Sequence, residues 1–331
     1  MDDVDFDRLF DAFANLKVAV IGDVMLDTYL WGKVERISPE APVPIVTLTK
    51  KDYRLGGAAN VALNLKSMNA SVAMFSVIGN DADGRLLLNR FEEEGIETAW
   101  LIKSSKRITT NKSRIISRNQ QMMRLDAELT SDLEEADETK LVEAIKSYVA
   151  KEKPQVLIFE DYNKGVLTAQ VIKSVIEICR QNDIISTVDP KFKNFFAYEG
   201  VTIFKPNLKE VVEALKIHPE KLSPSYLQQI HHSLFQHLGH EISLLTLSEN
   251  GIYYQKQDNA GLIPTHIRNI SDVSGAGDTV IAIASLVYAC TRDILLTAET
   301  ANIAGGLVCE EVGTVAINKE RLLEECKLLL K

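Results

Sequence analysis

The stretch "SDVSGAGDTV" (271–280) gathers Gly275, Ala276 and Gly277 between Ser274 and Asp278, directly ahead of the apolar run "IAIASLVYAC". That run reads as a buried helix, so the three small residues fall at its N-terminus. Backbone N–H groups at such an end lack intrahelical partners, small side chains let an anion approach them, and the helix dipole favours negative charge. Asp278 falls in the first turn, placed to take a proton from a hydroxyl attacking a phosphate held there. The same residues also fit a Gly-rich capping turn with Asp278 serving the dipole, and the tetrapeptide alone does not separate the two.

Three other stretches carry similar potential. "GGAAN" (56–60) is a second Gly-rich helix start. Gly56 and Gly57 permit close backbone approach and Asn60 offers an amide to a polyol, or the segment is a plain loop-to-helix junction. "GDVMLD" (22–27) sets Asp27 in the turn after a strand, where a carboxylate accepts two sugar hydroxyls or is simply solvated. "KPNLKE" (205–210) puts Asn207 and Glu210 one helical turn apart, suited to orienting water on Mg²⁺ or to forming an N-cap and capping box. The histidine-rich run 231–240 reads as a partly exposed helix end, because its histidines do not share a face with carboxylates. No G-x-x-x-x-G-K-[ST] occurs, so a nucleotide site here is not a P-loop.

The elements that must position these residues are legible as alternating patterns. Short apolar runs at 17–24, 71–81, 155–162, 184–191, 201–207 and 242–248 read as buried parallel strands. Helical patterns at 57–69, 82–95, 132–151, 168–182, 207–216 and 224–239 lie between them, and the chain from 275 onward is mostly helical. This alternation predicts an α/β fold with a doubly wound, mostly parallel sheet flanked by helices, whose ligands sit at the carboxyl ends of the strands. Asp23, Asp27, Asp161, Asp189, Lys191, Asn207 and Glu210 all follow strands. Residues 28–55 and 98–125 break the pattern. Both read as antiparallel strands outside the main sheet, forming a small β-sheet lid, with Trp31 and Trp100 as packing residues. One lid face covers a ligand. The other would expose sheet edges and apolar side chains, which predicts a homodimer paired lid to lid.

Composition bounds the partners. The 331 residues are 46% hydrophobic and 25% charged, with a net charge of −9 and no Lys/Arg-rich run, so nucleic acid and anionic membrane surfaces are not expected partners. Cys179, Cys290, Cys309 and Cys326 form no C-x-x-C pair and read as buried thiols in a reducing compartment. The acidic start "MDDVDFDRLF" is no signal peptide, and no apolar run approaches the ~20 residues of a membrane span. A cytoplasmic location is expected.

Together these motifs resemble the ribokinase-like (PfkB) sugar kinases over nearly the whole chain, with G-G-A-A-N early, G-A-G-D late and P-N-x-x-E between. In finer detail, "GDVMLDTYLWGKVERISPEAPVPIV", "GGAANVALNL", "SRNQQMMRLD" and "DYNKG" resemble the D-glycero-D-manno-heptose-7-phosphate kinase domains of ADP-heptose synthases. The resemblance implies ATP as co-substrate, Mg²⁺, and phosphorylation of the sugar C1 hydroxyl on the route to ADP-heptose, a lipopolysaccharide core precursor. It implies Asp278 as general base, the Gly275–Ala276–Gly277 backbone as anion hole, and Asp27, Gly56, Gly57 and Asn60 as sugar ligands. Asn207 and Glu210 would serve the Mg²⁺–phosphate region, with Thr246, Ser248, Gly251 and Asn302 lining the nucleotide pocket. Asp272, Ser274 and carbonyls near Gly313 match a place where some family members hold a monovalent cation such as K⁺. Glu160 stands where a small residue is usual. The chain ends at Lys331 without an H-x-G-H-type nucleotidyltransferase signature, which suggests one kinase domain over 1–331.

A sugar 7-phosphate needs local cations in so acidic a chain, and Arg118, Arg124 and Lys191 are the candidates, with Lys164 in reserve. Two other functions remain open at this point: a kinase of the same fold for another sugar or sugar phosphate such as fructose 1-phosphate, and a non-catalytic sugar-binding regulatory protein, whose cheapest mark would be loss of the base.

Overall fold

The computed structural model describes residues 4–118 and 120–330. In chain order the elements are α1 (Phe6–Ala12), β1 (Lys17–Gly22), β2 (Val24–Ile37), β3 (Pro44–Gly57), α2 (Ala58–Ser67), β4 (Ser71–Gly79), α3 (Ala82–Glu93), β5 (Leu101–Ser104), β6 (Asn111–Ser117), β7 (Gln120–Ala127), α4 (Glu135–Glu152) and β8 (Val156–Glu160). They continue as α5 (Ala169–Gln181), β9 (Ile185–Asp189), β10 (Ile203–Phe204), α6 (Leu208–Leu215), α7 (Pro224–Leu238), β11 (Ile242–Thr246), β12 (Ile252–Lys256), β13 (Asn259–Ile263), α8 (Ala276–Thr291), α9 (Ile294–Val308) and α10 (Lys319–Leu329).

Nine strands form the main sheet in the order β13-β12-β11-β10-β9-β8-β1-β4-β5. It is parallel from β5 to β11 and antiparallel at β12 and β13. Strands such as "VLIFE" and "ISTVD" are buried along their full length, as a parallel sheet covered on both faces requires. One apolar layer holds α1–α3 and α8–α10, the other α4–α7. The chain leaves β1 for β4 on one side and later fills β8 on the other, so a switch point opens at the carboxyl end of β1. Helix α8 is buried from Asp278 to Tyr288 and packs on α2, α9, β8 and β9, which sets its N-terminus over the strand ends.

The second sheet has the order β3-β2-β6-β7, with a parallel β2–β6 contact between two antiparallel ones. This corrects the expected lid in three respects. Its strands begin at Val24 and end at Gly57 and Ala127, beyond the limits 28–55 and 98–125. The segment before Asn111 is not lid at all, because β5 pairs in parallel with β4 at the edge of the main sheet. Trp100 therefore lies in the main body, its ring 5.7 Å from Phe75 and 5.5 Å from Tyr148. A two-residue rhythm fixes alternate faces, not which sheet a strand joins. The strand expected over 201–207 shrinks to Ile203–Phe204. The histidine run is also half buried: His231 and His240 both hydrogen-bond Ser243 Oγ, at 2.8 and 2.7 Å, and burial pushes His240 down to about 3.

Candidate active site

Asp23 organises the switch point. It follows β1, and its buried carboxylate accepts the backbone N–H groups of Tyr162, Lys164 and Val166 at 2.9–3.0 Å. Its own carbonyl takes the N–H of Ala58 at 3.1 Å. One residue thus fixes both the loop after β8 and the start of α2. Each of these carries a group toward Asp278. Asn60 Nδ2 donates to Asp278 Oδ2 and the Tyr162 hydroxyl donates to Oδ1, each at 2.7 Å. Asn64, one turn further along α2, takes the Thr279 hydroxyl at 3.1 Å and the Ile317 N–H at 3.0 Å, locking α2 to α8. Burial pushes the Asp278 carboxyl up to about 6, while the Asn60 and Tyr162 hydrogen bonds pull the other way.

Gly275 adopts φ +80° at the N-cap of α8, and a Cβ there would lie 2.8 Å from Asn60 Nδ2, the atom that holds Asp278. The first α-helical bond runs from Thr279 N to Gly275 O at 3.0 Å, so the Gly277 and Asp278 amides ahead of it lack intrahelical acceptors. The Ala276 amide instead reaches the Val273 carbonyl at 3.3 Å. Of the three residues expected to form the cradle, Ala276 is thus the one whose amide is engaged among the described residues.

Beneath Asp278 lie two more buried carboxyl groups. One oxygen from each of Glu160, Asp189 and Asp278 falls within 4.8 Å of the other two. Lys205 sits 2.8 Å from Asp189, and Lys191 bridges Asp189 at 3.4 Å and Glu210 at 2.7 Å. These two ammonium groups hold Asp189 below its usual range against the effect of burial. Both Glu160 oxygens are buried without a hydrogen-bond partner. Burial, then Asp189 and Asp278 beside it, hold its carboxyl well above the usual range. The position that stood out in sequence as an unusual residue thus lies beside Asp278.

Asn207 and Glu210 form a capping box at the start of α6: the Glu210 N–H donates to Asn207 Oδ1 at 2.9 Å and the Asn207 N–H to Glu210 Oε2 at 2.8 Å. The capping reading is realised, and Glu210 Oε1 still faces Lys191. Asn207 bridges Thr246 at the end of β11. Ser248 and Gly251 shape the tight turn into β12, with φ +52° and +94°. Asn302 on α9 donates to the Pro264 carbonyl at 2.8 Å, beside the segment after β13.

At the lid base Asp27 is buried and paired with Arg114 at 2.5 Å, and a Cβ on Gly56 would lie 2.3 Å from Asp27 Oδ2. Arg114, on the inward face of β6, was not singled out in sequence. The only signal for it was the alternation of "NKSRIIS". Arg118 lies exposed in the β6–β7 turn, and Arg124 is half exposed and paired with Asp126 at 2.9 Å. Both lie in the lid, as expected, away from the residues around Asp278. Lys191 does join them, on the Asp189–Glu210 side, and Lys164 pairs with Glu128 at 2.8 Å. Asp272 and Ser274 come together with Gly313, but Asp272 already accepts Ser274 N, Ser274 Oγ and Gly313 N at 2.8–3.0 Å. The carbonyls of Val312 and Thr314 face the Arg54 guanidinium at 3.2 and 3.3 Å. The Asp272 carboxylate is thus taken up by donors, and the Arg54 guanidinium already sets a positive charge against the Val312 and Thr314 carbonyls.

A Gly-started helix with a buried carboxylate, set over the carboxyl ends of a nine-stranded sheet and faced by a small second sheet, defines a sugar-kinase type of site. Residues 15–321 match the sequence profile of the pfkB family carbohydrate kinases, and the chain belongs to that family as an ATP-dependent sugar kinase. It is 38% identical over 326 residues to the bifunctional protein HldE of Syntrophotalea carbinolica, covering 98% of this chain and 66% of that protein. HldE of Geotalea uraniireducens is 37% identical over the same shares. The chain thus spans somewhat less than two thirds of these relatives. Among solved structures, phosphofructokinase-2 from Escherichia coli in complex with potassium superposes with a TM-score of 0.78 at 16% identity, covering 94% of this chain and 99% of that one. Ribokinase of Arabidopsis thaliana complexed with ribose and ATP gives 0.72 at 14% identity, over 93% and 99%. These two likenesses establish the fold.

Proposed function

We propose that the chain is a kinase domain that transfers the γ-phosphoryl group of ATP to the C1 hydroxyl of D-glycero-D-manno-heptose 7-phosphate, giving heptose 1,7-bisphosphate on the route to ADP-heptose. The observation that carries it is Asp278, buried at the start of α8, gripped by Asn60 and Tyr162 and flanked by two unpartnered amides. The similarity to HldE along 98% of the chain supports the sugar.

Asp278 takes the proton of the C1 hydroxyl as its oxygen attacks the γ-phosphorus and the bond to the ADP oxygen breaks. An anomeric hydroxyl is more acidic than an ordinary alcohol, so a carboxylate is an adequate base. The Gly277 and Asp278 amides stabilise charge on the transferring group, a contribution of roughly 3–4 kcal/mol per donor in comparable sites. Asp27, Gly56, Gly57 and Asn60 face the sugar. Asn207, Thr246, Ser248, Gly251 and Asn302 line the nucleotide side. Glu210, whose Oε2 caps α6 and whose Oε1 pairs with Lys191, would meet Mg²⁺ only through water, and the ion would neutralise phosphate charge there. The domain comprises 1–331, acts in the cytoplasm, and pairs as a homodimer through the exposed lid. Among the described residues no helix is long and apolar enough to cross a membrane.

The test is ADP release over a panel containing heptose 7-phosphate, fructose 1-phosphate, fructose 6-phosphate and their unphosphorylated parents. Preference for heptose 7-phosphate is expected, and turnover confined to another sugar refutes the substrate assignment.

A further inference from the structure

Lys112 on β6 sits between Asp27 of β2 and Asp126 of β7 in strand register. Each carboxylate around it already has a cation: Asp27 holds Arg114, Asp126 holds Arg124, and Glu128 holds Lys164. Lys112 makes no salt bridge among the described residues. It is the surplus positive charge of this cluster, in a chain of net charge −9. It is also partly withdrawn from water, and that burial, reinforced by Lys164 nearby, lowers its pKa despite the carboxylates. A half-buried cation beside another cation, with no anion of its own, is a local charge imbalance that a bound anion relieves.

Its direction says where that anion belongs. Lys112 Nζ lies 5.7 Å from the centre of the Tyr162 ring, whose hydroxyl donates to Asp278 at 2.7 Å. The ring is thus a spacer between base and ammonium group. A substrate whose reacting hydroxyl meets Asp278 and whose body lies along Tyr162 brings its far end to Lys112. We propose that Lys112, supported by Lys164, is the anchor for a phosphate monoester carried at the end of the sugar opposite the reacting hydroxyl. Arg118 and Arg124, the cations most visible in the sequence, are the more exposed ones, the first in a turn and the second over half its side chain, and so lack the shielding from water that Lys112 and Lys164 have.

The inference rests on the reading that the acceptor is a phosphorylated sugar, and the experiment separates the two. The full chain and its Lys112→Met and Lys112→Arg variants are assayed for kcat/KM on heptose 7-phosphate and on the unphosphorylated heptose. Lys112→Met is expected to lower the ratio of the two values by about 10- to 100-fold, the span of a charge-assisted hydrogen bond, chiefly through KM. Lys112→Arg is expected to recover most of that ratio, which a merely misfolded variant could not explain. An unchanged ratio in Lys112→Met, with the parent enzyme preferring heptose 7-phosphate, overturns the anchor and leaves the substrate reading standing. If the parent prefers a different sugar phosphate, the ratio is taken on that sugar and its parent, and a loss there supports the anchor while the heptose assignment fails. A parent enzyme that turns over only unphosphorylated sugars overturns both.

Discussion

At the scale of single residues, Asp278 and Glu160 lie side by side in one buried carboxyl cluster and lead to different tests. Asp278→Asn keeps the size and the Asn60 and Tyr162 neighbours but removes the carboxylate proposed as base. Turnover is expected to fall by at least ~10²-fold while ATP still binds, and near-normal turnover would exclude Asp278 as base. Its carboxyl, pushed by burial from 3.8 up to about 6, must be ionised to accept a proton. Activity should therefore fall as pH drops through about 6, read as the acid limb of kcat/KM; a limb near pH 4 would contradict the burial effect. Glu160 has the opposite significance for stability. Its folded pKa is raised, so the folded state holds a proton that the unfolded chain releases above about pH 4.5. Folding therefore weakens as pH rises above that point, by about 1.4 kcal/mol per unit until the folded pKa is reached. In Glu160→Gln this dependence disappears. The melting temperature of the variant relative to the parent should rise as pH increases above about 4.5 and level off once the raised folded pKa is passed. A gap that stays constant with pH would show that Glu160 is ionised in the fold.

At the scale of elements, the start of α8 depends on contacts from outside that helix. Strand β3 sends Arg54 across to the 312–314 loop, and Asp272 gathers the Ser274 turn and Gly313. The guanidinium sets a fixed positive charge against the Val312 and Thr314 carbonyls. Turnover is accordingly expected to agree within about twofold in K⁺, in Na⁺ and in a bulky organic cation at constant ionic strength, since the charge is already built in. Strong activation by K⁺ alone would mean that Arg54 yields its place. The division of the 98–125 stretch belongs to this scale too. Trp100 stacks on Phe75 and meets Tyr148 edge to face in the main body, whereas Trp31 stacks on Tyr29 in the lid, 6.4 Å between rings.

At the scale of the whole molecule, the lid is the surface that asks for a partner. Strands β3 and β7 are its two unpaired edges, and Ile37, Leu48, Met122, Met123 and Leu125 are exposed upon it. Long edges bordered by apolar side chains are rarely left open in a soluble chain. A two-fold pairing of lids covers both at once. Sedimentation at micromolar concentration should give about twice the 36.9 kDa chain mass. Leu48→Lys combined with Met123→Lys should shift the species to the monomer. A fully active monomer of the parent chain would show that the lid is covered in some other way.

The sequence by itself determined what depends on neighbours along the chain. Apolar runs ending in polar residues located the parallel strands and, through the carboxyl-end rule, Asp23, Asp189 and Lys191. Small residues ahead of an apolar run located Asp278 at a helix start, and Asn207 with Glu210 carried a capping signature that the fold realises. The tertiary structure alone decided which side chains meet. Asn60 and Asp278 lie 218 positions apart, and Tyr162 and Asp278 116, so their contacts follow from sheet order and helix packing, which no local pattern encodes. The same holds for the cations. Alternation along 111–127 puts Lys112, Arg114, Arg118 and Arg124 all at even positions and so does not tell them apart. Whether Lys112 and Arg114 or Arg118 and Arg124 lie near the base depends on where the hairpin turns and on which strand β6 joins. That choice is made by the parallel pairing of β6 with β2, a long-range register that depends on the whole fold.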